Sequence, residues 1–276
     1  MNYHEEITVI KPDRGWIAID LQELWAYRDL LYLLVWRDIK GRYRQMALGP
    51  LWIALQPLMT IVIFSVIFGK FARIPSDGIA YPVFAYTALL PWQLFATATT
   101  KSADSLVNNI NLVSKVYFPR MIVPLSAVFV SLADFGASFG ILLLMMLFYG
   151  TYPTLAVVTL PLYIILAIIT AMAVGLWFAS LSVKYRDVAL AVTYIIQLWF
   201  YATPIIYPTS LVPEAWRVLY RLNPMTQVVE GFRWALLGSG QPPDWVTGVS
   251  VILVLGLLVS GAVYFRQTEG SIVDSM

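Results

Sequence analysis

Apolar residues in this chain fall in long unbroken blocks rather than in strict alternation, and charged residues gather between the blocks. The blocks run over residues 48–69, 81–103, 123–149, 155–183, 188–207 and 245–265. Each reaches the roughly 20 residues that an α-helix needs to cross a hydrocarbon core. The pattern predicts six transmembrane helices in an all-α integral membrane protein. After Pro204 and Pro208 come two shorter apolar-rich pieces, 211–222 and 225–237, parted by Asn223-Pro224. At about 12 residues neither can span alone. Broken helices at membrane depth survive only where protein or a water-filled cavity shields their backbone, so residues 209–240 read as a re-entrant helical hairpin at the outer face, before the last span. The alternative is an amphipathic hairpin lying on that surface.

At the N-terminal side, residues 20–44 mix Leu, Trp and Val with Arg28, Asp29, Arg37, Asp38 and Lys40. Too polar to span, they fit an amphipathic helix lying in the membrane interface. Asp20 followed by Glu23 resembles a capping box that satisfies the first amides of that helix. A short cytosolic domain is the alternative, but the run from Leu30 to Trp36 would then need a surface to cover it. The chain accordingly divides into a cytoplasmic tail with interface helix, residues 1–45, and a transmembrane domain, residues 46–276, which contains the hairpin.

Composition supports the membrane reading, with 59% hydrophobic and only 12% charged residues where soluble domains carry about 25% charged residues. A net charge of +2 offers nothing to nucleic acid, and the basic residues matter through their position. Starting inside, the cytoplasmic segments hold 13 of the 18 basic residues, while Lys70, Arg73, Arg217, Arg221 and Arg233 remain outside. The positive-inside rule therefore predicts that both termini are cytoplasmic. The first residues lack the apolar core of a cleavable signal, which agrees with that orientation. Cysteine is absent and the one histidine, His4, sits in the polar tail, which removes disulfides, thiol catalysis and histidine-based metal chemistry.

No G-x-x-x-x-G-K-[ST] loop occurs, so nothing in the chain cradles nucleotide phosphates. Within the six blocks the acidic residue is Asp134, beside Ala133, Gly136, Ala137 and Ser138. A single carboxylate with no basic partner in view points to hydrogen bonding between helices rather than to a proton relay. Aromatic residues make up 14% of the chain, and many mark span ends. Tyr194, Gln197 and Tyr201 recur at i, i+3 and i+7 in the fifth block, and Trp52 and Gln56 stand four apart in the first. Rings with adjacent amides suit sugars, whose faces stack while their hydroxyls need hydrogen bonds; packing inside the bundle is the alternative. The loop LVNNINLVSKVYFP at 106–119 sets Asn108, Asn109 and Asn111 beside Leu112, Val113, Tyr117 and Phe118, a composition that offers a short helix to a soluble partner.

The stretches RYRQMALGPLWIALQPL at 42–58, VSKVYFPRMIVPL at 113–125, VKYRDV at 183–188, ATPIIYP at 202–208 and NPMTQVVEGFRWALLG at 223–238 resemble the type-2 ABC transporter permeases that export polysaccharides, above all the O-antigen and capsule branch related to the teichoic-acid exporters. The resemblance implies a homodimer in the cytoplasmic (inner) membrane with two copies of a separate ABC ATPase subunit, which bind the ATP and Mg, leaving this chain without a cofactor. It implies a coupling helix within 106–119, with Asn111, Leu112, Val113 and Tyr117 as docking residues, and a contact from the interface helix as well. Spans one and five are then expected to flank an aromatic-lined channel, which makes Trp52, Gln56, Tyr194, Gln197 and Tyr201 the channel residues. The hairpin forms the exit, and the cargo is a lipid-linked, O-antigen-like polysaccharide.

Two other classes compete. A secondary transporter or channel calls for coupling carboxylates or a repeated half, and the sequence holds one intramembrane Asp and no convincing repeat. A membrane enzyme acting on lipid-linked sugars calls for paired carboxylates, for which Glu214, Glu230 and Asp244 are the outer-side candidates.

Overall fold

The computed structural model describes residues 21–43, 51–185 and 187–272, and its regular elements among them are all helical. Asp20, and with it the capping-box reading, lies outside the described residues, as does the boundary at residue 45. In chain order the helices are α1 (Leu21–Ala26), α2 (Arg28–Tyr43), α3 (Leu51–Phe64), α4 (Tyr81–Asn108), α5 (Ile110–Val113), α6 (Ile122–Phe148), α7 (Leu160–Lys184), α8 (Val188–Tyr201), α9 (Glu214–Leu222), α10 (Pro224–Leu237) and α11 (Trp245–Ile272). A π-helical run, Ser65–Phe71, extends α3, and a 3₁₀ turn, Leu155–Thr159, leads into α7.

Three helical stretches are long and apolar enough to cross a membrane, Ile122–Phe148, Leu155–Lys184 and Trp245–Glu269, which makes this a multi-pass membrane protein. The first and fifth blocks form shorter apolar helices, Leu55–Phe71 and Val188–Tyr201. Helix α8 stops at Tyr201 rather than at 207, since Pro204 lacks the amide hydrogen that would continue the ladder and restricts the residue before it. Helix α4 has 28 residues, about 42 Å at 1.5 Å per residue, but is less apolar than its neighbours.

The reason is its position. Helix α4 is the hub of the bundle, packed chiefly on α7 and α6 and then on α10 and α8, and residues from Tyr81 to Leu106 are buried along it. Surrounded by protein rather than lipid, it can carry hydroxyls that bond its neighbours: Tyr86 OH donates to Ser138 O (3.0 Å) and Ser102 Oγ to Pro124 O (3.1 Å). A Cβ built at Gly175 of α7 would lie 2.7 Å from Ser102 Cβ, so only glycine permits this close helix approach. The main core gathers side chains from α4, α6, α7 and α10. A second, smaller core of Leu34, Leu106, Val113, Phe118 and Phe265 closes the opposite end, here called the basal end. There α2 rests Leu34 against the bundle and turns Tyr32, Leu33 and Trp36 outward beside Arg37 and Lys40, the mixture of apolar, aromatic and basic side chains that suits a membrane surface.

Candidate functional site

At the hairpin end the organising residue is Arg233 of α10, which is 1% exposed. The Pro204 and Pro208 breaks free backbone carbonyls in the linker after α8, and Arg233 collects them. Its Nη1 donates to Pro204 O (2.7 Å) and Tyr207 O (3.4 Å), and its Nη2 to Ile205 O (2.9 Å). Glu230, one turn earlier, supplies the counter-charge at 3.3 Å, and the guanidinium lies 3.7 Å above the Phe84 ring of α4. Buried charge is tolerable only when paired and hydrogen-bonded in this way. Helix α10 itself is built for the position: Asn223 Oδ1 caps it by accepting from Met225 N (3.0 Å), Pro224 starts it, and Gly238 ends it at φ +69°. A Cβ at Gly231 would fall 2.1 Å from Tyr163 Cε1, so α10 sits directly on α7. The count of basic residues by side says nothing of this burial; the signal for it in the sequence is the acid–base spacing in Glu230–Arg233 downstream of two prolines.

The five expected channel residues share one character. Trp52, Gln56, Tyr194, Gln197 and Tyr201 are all exposed on α3 and α8. Val192 and Ile196 anchor the opposite face of α8 in the bundle. The two helices meet near their ends through Phe64 and Phe200, whose ring centroids are 6.3 Å apart, and the aromatic series continues through Trp92, Phe95 and Trp199. Sequence reasoning missed the recess beyond α8. A cavity of about 350 Å³ is lined by Trp199, Trp216, Leu219, Tyr220 and Asn223. Its hydrogen-bonding groups are turned inward: Trp199 Nε1 donates to Asn223 Oδ1 (2.9 Å), and the Tyr220 and Tyr207 hydroxyls pair with each other. What remains open is an apolar aromatic surface.

At the basal end the four expected coupling residues divide. Asn111 and Tyr117 are exposed and Leu112 is half-buried, but Val113 is buried in the second core. The outward apolar pair of this loop is Val116 and Tyr117. A cavity of about 210 Å³ opens beside them between α1 and the last turns of α11. Glu269 accepts from Arg120 N (3.1 Å) and from the Arg120 guanidinium, while Arg266 faces Glu23 at 3.8 Å. The end of α11 thereby pins the loop, a connection invisible in residues so far apart. Asp134 also gains a partner absent from the sequence reading, Lys101 Nζ at 3.4 Å, so a cross-helix ion pair between α4 and α6 replaces the isolated carboxylate.

Apolar bundle, buried α10 and pinned basal loop together describe a helical membrane protein whose sequence holds no G-x-x-x-x-G-K-[ST] loop. Residues 29–237 match the ABC-2 type transporter family, and the chain belongs to that family. It is 32% identical over 242 residues to the O-antigen export system permease protein RfbA of Myxococcus xanthus, covering 85% of this chain and 92% of that protein. A protein of the same description from Klebsiella pneumoniae is 30% identical over 247 residues, 87% of this chain and 94% of the relative. The polysialic acid transport protein KpsM of Escherichia coli is 23% identical over 245 residues, 87% and 93% of the two chains.

Proposed function

We propose that this chain is the permease subunit of an ATP-driven exporter that carries a lipid-linked, O-antigen-like polysaccharide across the inner membrane. The observation that carries the reading is the likeness to O-antigen export permeases over 85% and 87% of the chain. In this reading two copies of the chain join two ABC ATPase subunits, which bind the ATP and Mg. The chain crosses the membrane six times with both termini cytoplasmic, and α9 and α10 form the re-entrant hairpin at the exit. Trp52, Gln56, Tyr194, Gln197 and Tyr201 line the path; their exposure on the single chain leaves them free to face it. Stacking worth roughly 0.5–1.5 kcal/mol per ring holds each sugar weakly enough for a long polymer to slide. Asn111, Leu112 and Tyr117 meet the ATPase, and buried Val113 holds that segment in shape.

The test is deletion and complementation in the source cell. Surface glycan should vanish without the gene and return with it, the protein should co-purify with an ATPase, and the pure chain should hydrolyse no ATP. Replacing Trp52, Tyr194 and Tyr201 together by Ala should cripple export at normal membrane levels of the complex. Unchanged surface glycan in that triple variant removes these rings from the path. Capsule export is the second reading, supported by the likeness to the polysialic acid transport protein; the glycan lost on deletion decides between them.

A further inference from the structure

The cleft between α2, α4 and α6 at the basal end has no part in the reading above. It measures about 340 Å³ and is lined by Arg37, Asp38, Lys101, Asp104, Asn108 and Asn109, with Val123, Ala127 and Val130 of α6 as its apolar wall. Lys101, Asp104 and Asn108 recur at i, i+3 and i+7, one stripe of α4. Most of the charges are already engaged. Arg37 gives its Nε to Asp38 and its Nη2 to Asp38 and Asn109, each at 2.8 Å, which leaves the Nη1 donors. Lys101 holds Asp134. Asp104 is different: half-buried in the cleft, it accepts no hydrogen bond and joins no ion pair among the described residues.

From these contacts we infer that the cleft binds a phospholipid whose headgroup carries a primary ammonium next to its phosphate. The inference rests on the reading of α2 as an interface helix, for which the exposed Tyr32, Leu33 and Trp36 beside Arg37 speak. The unpaired Asp104 carboxylate calls for a cationic hydrogen-bond donor, and a primary ammonium has three N–H groups to give. The open Nη1 of Arg37 takes the phosphate, and the Val123, Ala127 and Val130 stripe receives the first acyl carbons. A quaternary ammonium has no N–H for Asp104. A glycerol headgroup brings no positive charge. The diphosphate of a lipid-linked cargo would meet the carboxylates of Asp38 and Asp104, while the two cations lining the cleft, Arg37 and Lys101, already hold Asp38 and Asp134.

The test uses the full chain with its ATPase, delipidated in nonionic detergent and offered an equimolar mixture of phosphatidylethanolamine, phosphatidylglycerol and phosphatidylcholine. Lipids retained on the complex are counted by native mass spectrometry. Phosphatidylethanolamine should be retained about tenfold over the other two, the factor expected of a charge-assisted hydrogen bond. Asp104→Asn should abolish that ranking, and Asn108→Ala should weaken it. Equal retention of the three lipids by the unaltered protein overturns the inference. So does preference for phosphatidylglycerol or for an added polyprenyl diphosphate, or an unchanged ranking in Asp104→Asn. If that variant fails to fold, the ranking by the unaltered protein decides alone. Surface glycan is measured separately, so lost export with an intact lipid ranking counts against the export reading and not against this one.

Discussion

Across the junction at Asn223, α10 puts Gln227, Glu230 and Arg233 inside the protein, whereas α9 leaves Trp216, Val218 and Leu219 exposed. The two helices have 14 and 9 residues and are consecutive in the chain. Their opposite burial follows from what each polar group finds. Arg233 finds linker carbonyls and Glu230; Gln227 Oε1 accepts from Thr247 Oγ1 (2.8 Å) and its amide donates to Arg221 O. On α9 the charged stripe also turns toward the body: Arg221 meets Asp244 at 2.8 Å and Arg217 reaches Val212 O at 3.4 Å. With its polar side engaged inward, α9 offers its apolar side outward, the reverse of a soluble protein and appropriate beside lipid or a second chain. One helix is therefore fixed by contacts on all sides, and the other is held along a single edge.

The most severe way to break the contrast is Arg233→Met. It keeps the volume but leaves Glu230 and three carbonyls unpaired, at a cost of roughly 3–5 kcal/mol. Thermal melting of the purified protein, with the fraction remaining monodisperse, should show this loss, and Glu230→Gln in the same chain should recover part of it. A near-normal melt for Arg233→Met would mean that α10 is held by apolar packing alone. The next effect concerns the edge of α9. Burial alone would raise the Asp244 pKa, but the hydrogen bonds from Arg221 and Thr247 outweigh it and hold the carboxyl below its ordinary value. Its stabilisation is therefore present above the unfolded pKa of about 4 and is lost as the pH falls through the folded value. Asp244→Asn should lower stability at neutral pH by up to about 1 kcal/mol, as for a partly exposed pair, and the difference from the parent should close as the pH falls through the lowered folded value. A difference that is constant with pH would remove the ion pair as the cause. The mildest is Leu219→Ser, on the outer side of α9, which should move the melt by no more than about 0.5 kcal/mol. A larger loss in detergent would show that this face is covered within the protein.

How much of this the sequence discloses depends on the range of the interaction. Helices α6, α7 and α11 are legible because hydropathy over about 20 residues is a local property. So is the interruption between α9 and α10, since Asn223-Pro224 writes both the cap and the first turn. The burial of Arg233 is not legible by counting charges, because its acceptors are the carbonyls of Pro204, Ile205 and Tyr207, which lie 26 to 29 residues earlier in the linker that Pro204 and Pro208 break. The Lys101–Asp134 pair and the Arg120–Glu269 bond join residues 33 and 149 apart. Val113 reads as an outward apolar residue until Leu106, Phe118 and Phe265 close over it. Helix α4 is legible in extent from the block at 81–103, but its surroundings are not. Hydropathy assumes lipid as the surroundings, and this helix is surrounded by other helices.

The Arg233 clamp also imposes an order on biosynthesis. Phe84 and Tyr163, the ring above the guanidinium and the ring against Gly231, belong to helices made well before α10. The linker carbonyls follow, and only then does Arg233 leave the ribosome. A guanidinium buried earlier would have no acceptor. The chain thus supplies the socket before the plug, and α11, synthesised last, fastens the seam through Asp244 and Thr247. A nascent chain halted before residue 244 would carry α10 on its socket and an α9 whose Arg221 still lacks its Asp244 partner.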